Sequence, residues 1–266
     1  MFIDTHCHLQ FSDFDPDRAM VIGNAKKAGV KQFICPGINL ASSKQVVALA
    51  KQNPGVVYAS IGFHPYEAQK NPDVSALSSQ LLASLKLWRS GSAVRSIVAI
   101  GECGLDYYRY KGEPAIGKKD AQKRLFSDQL TLANSYHLPV IMHCRDAFDD
   151  FFDVLDNSPQ IPRGVIHCFT GGLQEIRMAE LRHLFAGIDG NLTYSTHLQS
   201  IIPSIPLAMI LLETDTPYLT PEPHRGSRNE PKYIPLIAKK IAELQGVPIA
   251  TIEEITTNNA KGLFLI

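Results

Sequence analysis

The chain has 266 residues, 45% of them hydrophobic and 20% charged, which is enough apolar mass for a sizeable core and about the length of one strand–helix barrel. Lys plus Arg and Asp plus Glu balance at 26 each, which excludes the global basic field of a protein that coats nucleic acid, so any phosphate recognition must be local. No run approaches the roughly 18 apolar residues of a membrane span, Asp4 and His6 interrupt any apolar leader, and five cysteines without a C-x-x-C pair do not make a disulfide framework.

The expectation is a single cytoplasmic domain over residues 1–266, monomeric and without a membrane partner. The chain opens on an apolar strand, Phe2–His6. Asp15-Pro16 then begins a helix, as a cap followed by a first-turn proline, and Gly29 ends it. A strand over Gln32–Pro36, a helix over Ser42–Gln52 and a strand over Val56–Gly62 follow. Val74–Trp88 reads as a helix, Ile97–Glu102 as a strand, Asp120–Tyr136 as a helix and Val140–His143 as a strand. Next come a helix over Ala147–Asp156, a strand over Gly164–His167, a helix over Leu173–Leu184 and a strand over Phe185–Gly190. Pro203 and Pro206 break the element around Ile201–Ile205. The last strand is Met209–Glu213, and helices over Pro231–Leu244 and Pro248–Leu263 close the chain. Eight strand–helix units in unbroken alternation predict a parallel (β/α)8 TIM barrel. An open doubly wound sheet is the alternative, but no Gly-x-Gly-x-x-Gly follows the first strand.

In such barrels catalytic groups gather at the carboxyl ends of strands. His6 and His8 follow strand one, and in an extended chain they share a face while Cys7 takes the other. His64 follows the third strand, Glu102 ends the fourth, His143 the fifth and His167 the sixth, and Asp215 follows the eighth. Each alone has a bland explanation as a hydrogen-bonded structural residue. Together they put on one rim a polarity that is costly to bury without a cation. Four imidazoles and two carboxylates suit two divalent ions, of Zn²⁺, Mn²⁺, Co²⁺ or Mg²⁺. The expected division gives His6, His8 and Asp215 to one ion, His143 and His167 to the other, and Glu102 to both as a bridge. Two ions roughly 3.5–4 Å apart lower the pKa of a shared water, whose proton Asp215 is expected to take as general base. Cys7, Cys103, Cys144 and Cys168 each neighbour a ligand, and are expected to face the opposite side and pack under helices.

The motifs Asp4-Thr5-His6-Cys7-His8-Leu9, Gly62-Phe63-His64-Pro65, Gly101-Glu102-Cys103-Gly104-Leu105-Asp106-Tyr107-Tyr108, His143-Cys144-Arg145-Asp146-Ala147, His167-Cys168-Phe169-Thr170-Gly171, Leu212-Glu213-Thr214-Asp215-Thr216-Pro217-Tyr218-Leu219-Thr220-Pro221 and His224-Arg225-Gly226 with Asn229-Glu230-Pro231 resemble, as an ordered set, the TatD family. The match spans essentially the whole chain. It implies a metal-dependent hydrolase of the amidohydrolase-like barrel superfamily, with deoxyribonuclease activity in several members, and it implies the same six ligands. Glu102 stands where that superfamily often carries a carbamylated lysine. Ala186–Thr193 fits loosely, and His197 is given no role. The expected reaction is cleavage of phosphodiester bonds, with 3′-5′ removal of nucleotides from single-stranded DNA favoured. A small-molecule amidase, lactonase or phosphotriesterase is the alternative, and a barrel that only binds a partner is the third reading.

His64, Arg145 and Arg225 are expected to contact substrate, with Arg228 beside them in the loop after the last strand. Their plainer alternatives are a loop-fixing histidine, an Arg145 paired with Asp146 or Asp149, and a solvated loop. Asp106 is expected to orient a ligand, and Glu213 to bond a ligand histidine or the 225 loop. His137, His183 and the Lys118–Arg124 cluster read as structural or solvated.

Overall fold

Residues 1–70, 73–89, 96–108 and 118–266 are described by the structure, a computed structural model, and their eight strands lie parallel in chain order in one sheet. The strands are β1 (Phe2–Asp4), β2 (Val30–Pro36), β3 (Val57–Ile61), β4 (Ile97–Asp106), β5 (Val140–Arg145), β6 (Gly164–Ile166), β7 (Phe185–Ile188) and β8 (Ile210–Leu212). Between them run α1 (Arg18–Lys27), α2 (Leu40–Gln52), α3 (Pro65–Lys70), α4 (Val74–Arg89), α5 (Lys119–Tyr136), α6 (Phe148–Asp156), α7 (Leu173–Leu181) and α8 (Thr196–Ile201); α9 (Ile234–Gln245) and α10 (Ile249–Phe264) follow β8. The predicted barrel is the observed one. Among the described residues no helix is long and apolar enough to cross a membrane.

Closure of the barrel falls beyond the ladders. Thr5 N–H donates to Leu212 O at 3.0 Å, Asp215 N–H to His6 O at 2.8 Å and His8 N–H to Thr216 O at 2.9 Å. Asp4 ties this seam together: Oδ1 accepts from the N–H of His6 (3.3 Å) and of Thr214 (3.1 Å), and Oδ2 accepts the Thr214 hydroxyl at 2.6 Å. The residues that join first strand to last are thus the backbone neighbours of His6, His8 and Asp215.

Apolar side chains form two layers. A large one packs helices against the outer strand faces, and a smaller one, with Ile3, Ile34, Val98, Ile141, Val165 and Leu211, fills the barrel and meets Leu263 and Phe264 of α10. Strand alternation then places His143 above Ile141, His167 above Val165, and Glu213 above Leu211, all on the inner side. Met142, Cys144, Ile166, Ile210 and Leu212 belong to the outer layer.

Several boundaries depart from expectation. β1 stops at Asp4, not His6, because its partner becomes the chain after β8. Glu102 does not end a strand but lies inside β4, which pairs with β5 as far as Asp106 opposite Arg145. Between Ile100 (opposite Val140) and Cys103 (opposite Met142), β4 holds two residues against one of β5, a β-bulge. Gly101 at φ +134 permits it, where a Cβ would meet Ile141 O at 2.4 Å. The first helix begins at Arg18, two residues past Pro16, and α3 was not foreseen. α7 ends at Leu181 rather than Leu184. Pro203 falls in a 3-10 turn over Ile202–Ser204 that follows the short α8.

Candidate metal centre

The bulge turns the Glu102 carboxylate into the barrel mouth, where it stands between two pairs of imidazoles. Its Oε2 lies 3.4 Å from His6 Nε2 and 3.7 Å from His8 Nε2, and its Oε1 lies 3.2 Å from His143 Nδ1 and 2.9 Å from His167 Nε2. Asp215 Oδ1 approaches His6 and His8 Nε2 at 3.6 and 3.5 Å. All six residues named from strand ends therefore converge. Glu102, His6, His8 and His167 are buried, and His143 and Asp215 are partly so.

Each pair of imidazoles brings nitrogens face to face, His6 Nε2 to His8 Nε2 at 3.2 Å and His143 Nδ1 to His167 Nε2 at 3.1 Å. Their outer nitrogens decide what those inner atoms are. His143 Nε2 donates to Asp106 Oδ2 at 3.0 Å, so Nδ1 presents a lone pair. His8 Nδ1 donates to Pro36 O at 3.3 Å, an oxygen that also accepts from Gln10 Nε2 at 2.8 Å, so His8 Nε2 presents another. His167 Nδ1 faces Glu213 Oε1 at 3.7 Å, and Cys168 N–H donates to the same oxygen at 2.5 Å. Gly187 makes room for that carboxylate, since a Cβ there would sit 2.2 Å from Glu213 Oε2.

Opposed lone pairs at these separations need positive charge between them. Two nitrogens each roughly 2.0–2.1 Å from a tetrahedral ion stand about 3.3–3.4 Å apart, close to the spacings observed. Sets of donor atoms that could hold an ion are His6, His8 and Glu102; Glu102, His143 and His167; His6, His167 and Asp215; and His64, Asp106 and His143. Without metal, protons take the place of the cation. Burial by itself depresses the His167 imidazolium, but Glu102 and Glu213 outweigh it and hold the group well above its ordinary value; His143 is raised likewise against burial, by Asp106 and Glu102. Burial pushes the Glu102 carboxyl up, yet His167 and His143 keep it well below the usual carboxylate range. Asp215 is held low against burial by His8 and His6. The donors fit a divalent cation.

His64 stands at the edge of the cluster, its Nε2 3.5 Å from Glu102 Oε1. Its Nδ1 accepts the Tyr66 N–H at 3.2 Å, so Nε2 carries the proton and acts as a donor. Burial pushes its pKa down to about 3, which keeps the ring neutral. Arg145 does not pair with Asp146 or Asp149; its guanidinium lies 3.7 Å over the Tyr108 ring. Arg225 lies 4.2 Å over Tyr194. Arg228 departs from expectation: Asp17 engages it with both oxygens (3.0 and 2.7 Å), Asp13 O accepts from it, and Phe14 lies beneath it, so it anchors the loop to the start of α1.

Cys7, Cys103 and Cys144 pack in the outer apolar layer. Cys168 does not. A left-handed turn at φ +45 breaks the alternation there, leaving it half-buried with Sγ 3.9 Å from Asn191 Nδ2, beside Asp189. Sequence reasoning also passed over Asp189, whose carboxyl is pushed up to about 7 by burial and by Glu213, and Gln10, which shares Pro36 O with His8. Gln10 had a signal in the same two-residue step that links His6 to His8. Asp189 had one too, a carboxylate at the end of the apolar run Phe185–Ile188, the signal that singled out Glu102 and Asp215.

Residues 3–265 match the model of the family described as TatD related DNase. A protein named 3′-5′ ssDNA/RNA exonuclease TatD from Cronobacter sakazakii is 38% identical, over 98% of this chain and 97% of its own. An uncharacterized metal-dependent hydrolase, YabD of Bacillus subtilis, is 35% identical over the full length of both chains. The crystal structure of the TatD homologue YjjV from Escherichia coli superposes with a TM-score of 0.88 at 32% identity, covering 100% of this chain and 98% of the other. A dihydroorotase shares the barrel at a TM-score of 0.62 and 14% identity, over 99% of this chain and 69% of its own, which is a likeness of fold alone.

Proposed function

The chain belongs to the TatD-related DNase family of metal-dependent hydrolases, and from that premise we propose that it removes nucleotides from the 3′ ends of single-stranded nucleic acid, DNA foremost, using two divalent ions bridged by Glu102. The observation that carries this reading is the division of one carboxylate, Oε2 toward His6 and His8 and Oε1 toward His143 and His167. A bridging ligand has that geometry. Held by His6, His8, Glu102, His143, His167 and Asp215, the ions would supply Lewis acidity, lowering the pKa of a water and stabilising charge on the phosphoryl oxygens.

The remaining chemistry belongs to side chains. Asp215, ionised at neutral pH and partly open to the mouth, accepts the proton of the attacking water. His64, neutral with its proton on Nε2, donates to a phosphoryl oxygen as charge develops there. Asp106 and Glu213 hold His143 and His167 with their lone pairs turned inward. Arg145 and Arg225 meet phosphoryl oxygens of the strand, at the scissile phosphate and on its 5′ side.

The test is hydrolysis of a 5′-labelled single-stranded oligodeoxynucleotide by metal-loaded protein, with a chelator and Asp215→Asn as controls. A ladder shortening from the 3′ end, absent in both controls, supports the reading. Intact DNA, or cleavage that survives chelation, overturns it.

A further inference from the structure

Two arginines at the barrel mouth combine an aromatic contact with a guanidinium that no described carboxylate engages. Arg18, Arg182 and Arg228 each end on a carboxylate, from Asp15, Asp156 and Asp17. Arg145 and Arg225 have no carboxylate partner among the described residues, and both are exposed. Arg145 lies 3.7 Å over the Tyr108 ring and Arg225 4.2 Å over the Tyr194 ring, whereas Arg182 and Arg228, over Phe152 and Phe14, are also held by their carboxylates. Tyr108 keeps 42% of its surface open.

Both pairs stand at the carboxyl ends of strands, on different sides of the metal centre. Tyr108 follows β4 and Arg145 is the last residue of β5, whereas Tyr194 follows β7 and Arg225 follows β8. The first pair is tied to the cluster by short links, and the second is fixed to the loop after β7. Tyr108 N–H donates to Asp106 Oδ1 at 2.9 Å, and the other oxygen of that carboxylate holds His143. Tyr194 N–H donates to Asn191 O at 3.1 Å, and Asn191 N–H donates to Asp189 Oδ1 at 2.8 Å.

A guanidinium that sits over a ring face and has no carboxylate partner keeps its N–H donors free for a phosphate. The same stack offers a flat surface to a nucleobase, which binds aromatic rings and guanidinium planes whatever its identity. A chain with no net charge cannot hold a polyanion by its overall field, so local cations must do so.

We infer that the Tyr108–Arg145 and Tyr194–Arg225 pairs are two strand-holding stations, one on each side of the metal centre, each taking a base on its stack and the adjoining phosphate on its guanidinium edge. This rests on the nuclease reading above. Bases must be unstacked to enter such stations, so they select single strands over duplex.

The experiment compares metal-loaded protein on an oligothymidylate and on an abasic strand of equal length, by KM and by anisotropy, across a salt series. The wild type is expected to prefer the strand that carries bases. Tyr108→Leu and Tyr194→Leu should each reduce that preference about tenfold, and Tyr108→Phe and Tyr194→Phe should retain it. Arg145→Gln and Arg225→Gln should each flatten the log–log salt dependence by about 0.7, the contribution of one single-strand phosphate. Unchanged preference in both leucine variants, or an unchanged salt slope in both glutamine variants, overturns the stations. Wild-type protein that cleaves both strands equally well overturns them without any variant, so the test stands even if a leucine variant fails to fold. Wild-type protein that cleaves neither strand overturns the nuclease reading itself.

Discussion

Glu102 is the residue on which the most depends, because each of its oxygens faces a different pair of histidines. Glu102→Ala is expected to abolish binding of both ions at once, read by metal analysis of the purified variant; one ion retained at full occupancy would contradict the bridge. Asp106 acts one step further out. Asp106→Asn replaces an acceptor for His143 Nε2–H with a group that can donate to it, turning the proton inward, and a loss of about 10–100-fold in metal affinity is expected by titration. Cys144, packed in the outer layer, is a contrasting position. Cys144→Ser should lower stability by about 1–3 kcal/mol, for a hydroxyl buried without a planned partner, and leave metal content unchanged. At this scale the donors were legible because His, Glu and Asp at the ends of apolar runs are conspicuous. The partners of Arg228 and the turn at Cys168 were not, since one depends on a contact across more than 200 residues and the other on a backbone angle.

Among the elements, β4 has the closest link to the site. Its glycines read as the end of a strand, whereas the ladder continues through them and the extra residue re-aims Glu102. Gly101→Ala places a Cβ against Ile141 O in a backbone conformation that L residues avoid. We expect it to lower the unfolding free energy by about 2–3 kcal/mol, measured by chemical denaturation, and to reduce metal content with it. A variant of wild-type stability would show that the bulge tolerates a side chain. The order of strands and helices was legible from hydrophobic period and from capping and proline signals, and period two also fixed the inward faces of β5, β6 and β8. Strand ends were less so. β1 gives up its ladder early because the closing seam pairs it with residues after β8, a partnership that no local pattern contains.

For the whole molecule, metal and protons compete for one place. His143 and His167 must release protons before their inner nitrogens can bind a cation, and both hold those protons above the ordinary imidazole range. Apparent metal affinity should therefore strengthen as pH rises through their raised values, with proton release visible by calorimetry in buffers of different ionisation heat. The metal-free protein should show the opposite trend. The stability contributed by the His167 ion pairs is complete below the unfolded value of about 6.5 and is lost as pH rises through the raised folded value, so melting temperature should fall on the alkaline side. A metal-free protein that instead gains stability there would refute the assignment of protons to these imidazoles. The most direct measurement is a titration of chelator-stripped protein with one divalent metal, following bound metal per chain and hydrolysis of single-stranded DNA in the same samples. Activity rising as occupancy approaches two ions per chain, with neither signal in Glu102→Ala, is the predicted result. Full activity in stripped protein, or full occupancy by metal with no hydrolysis, would contradict the account.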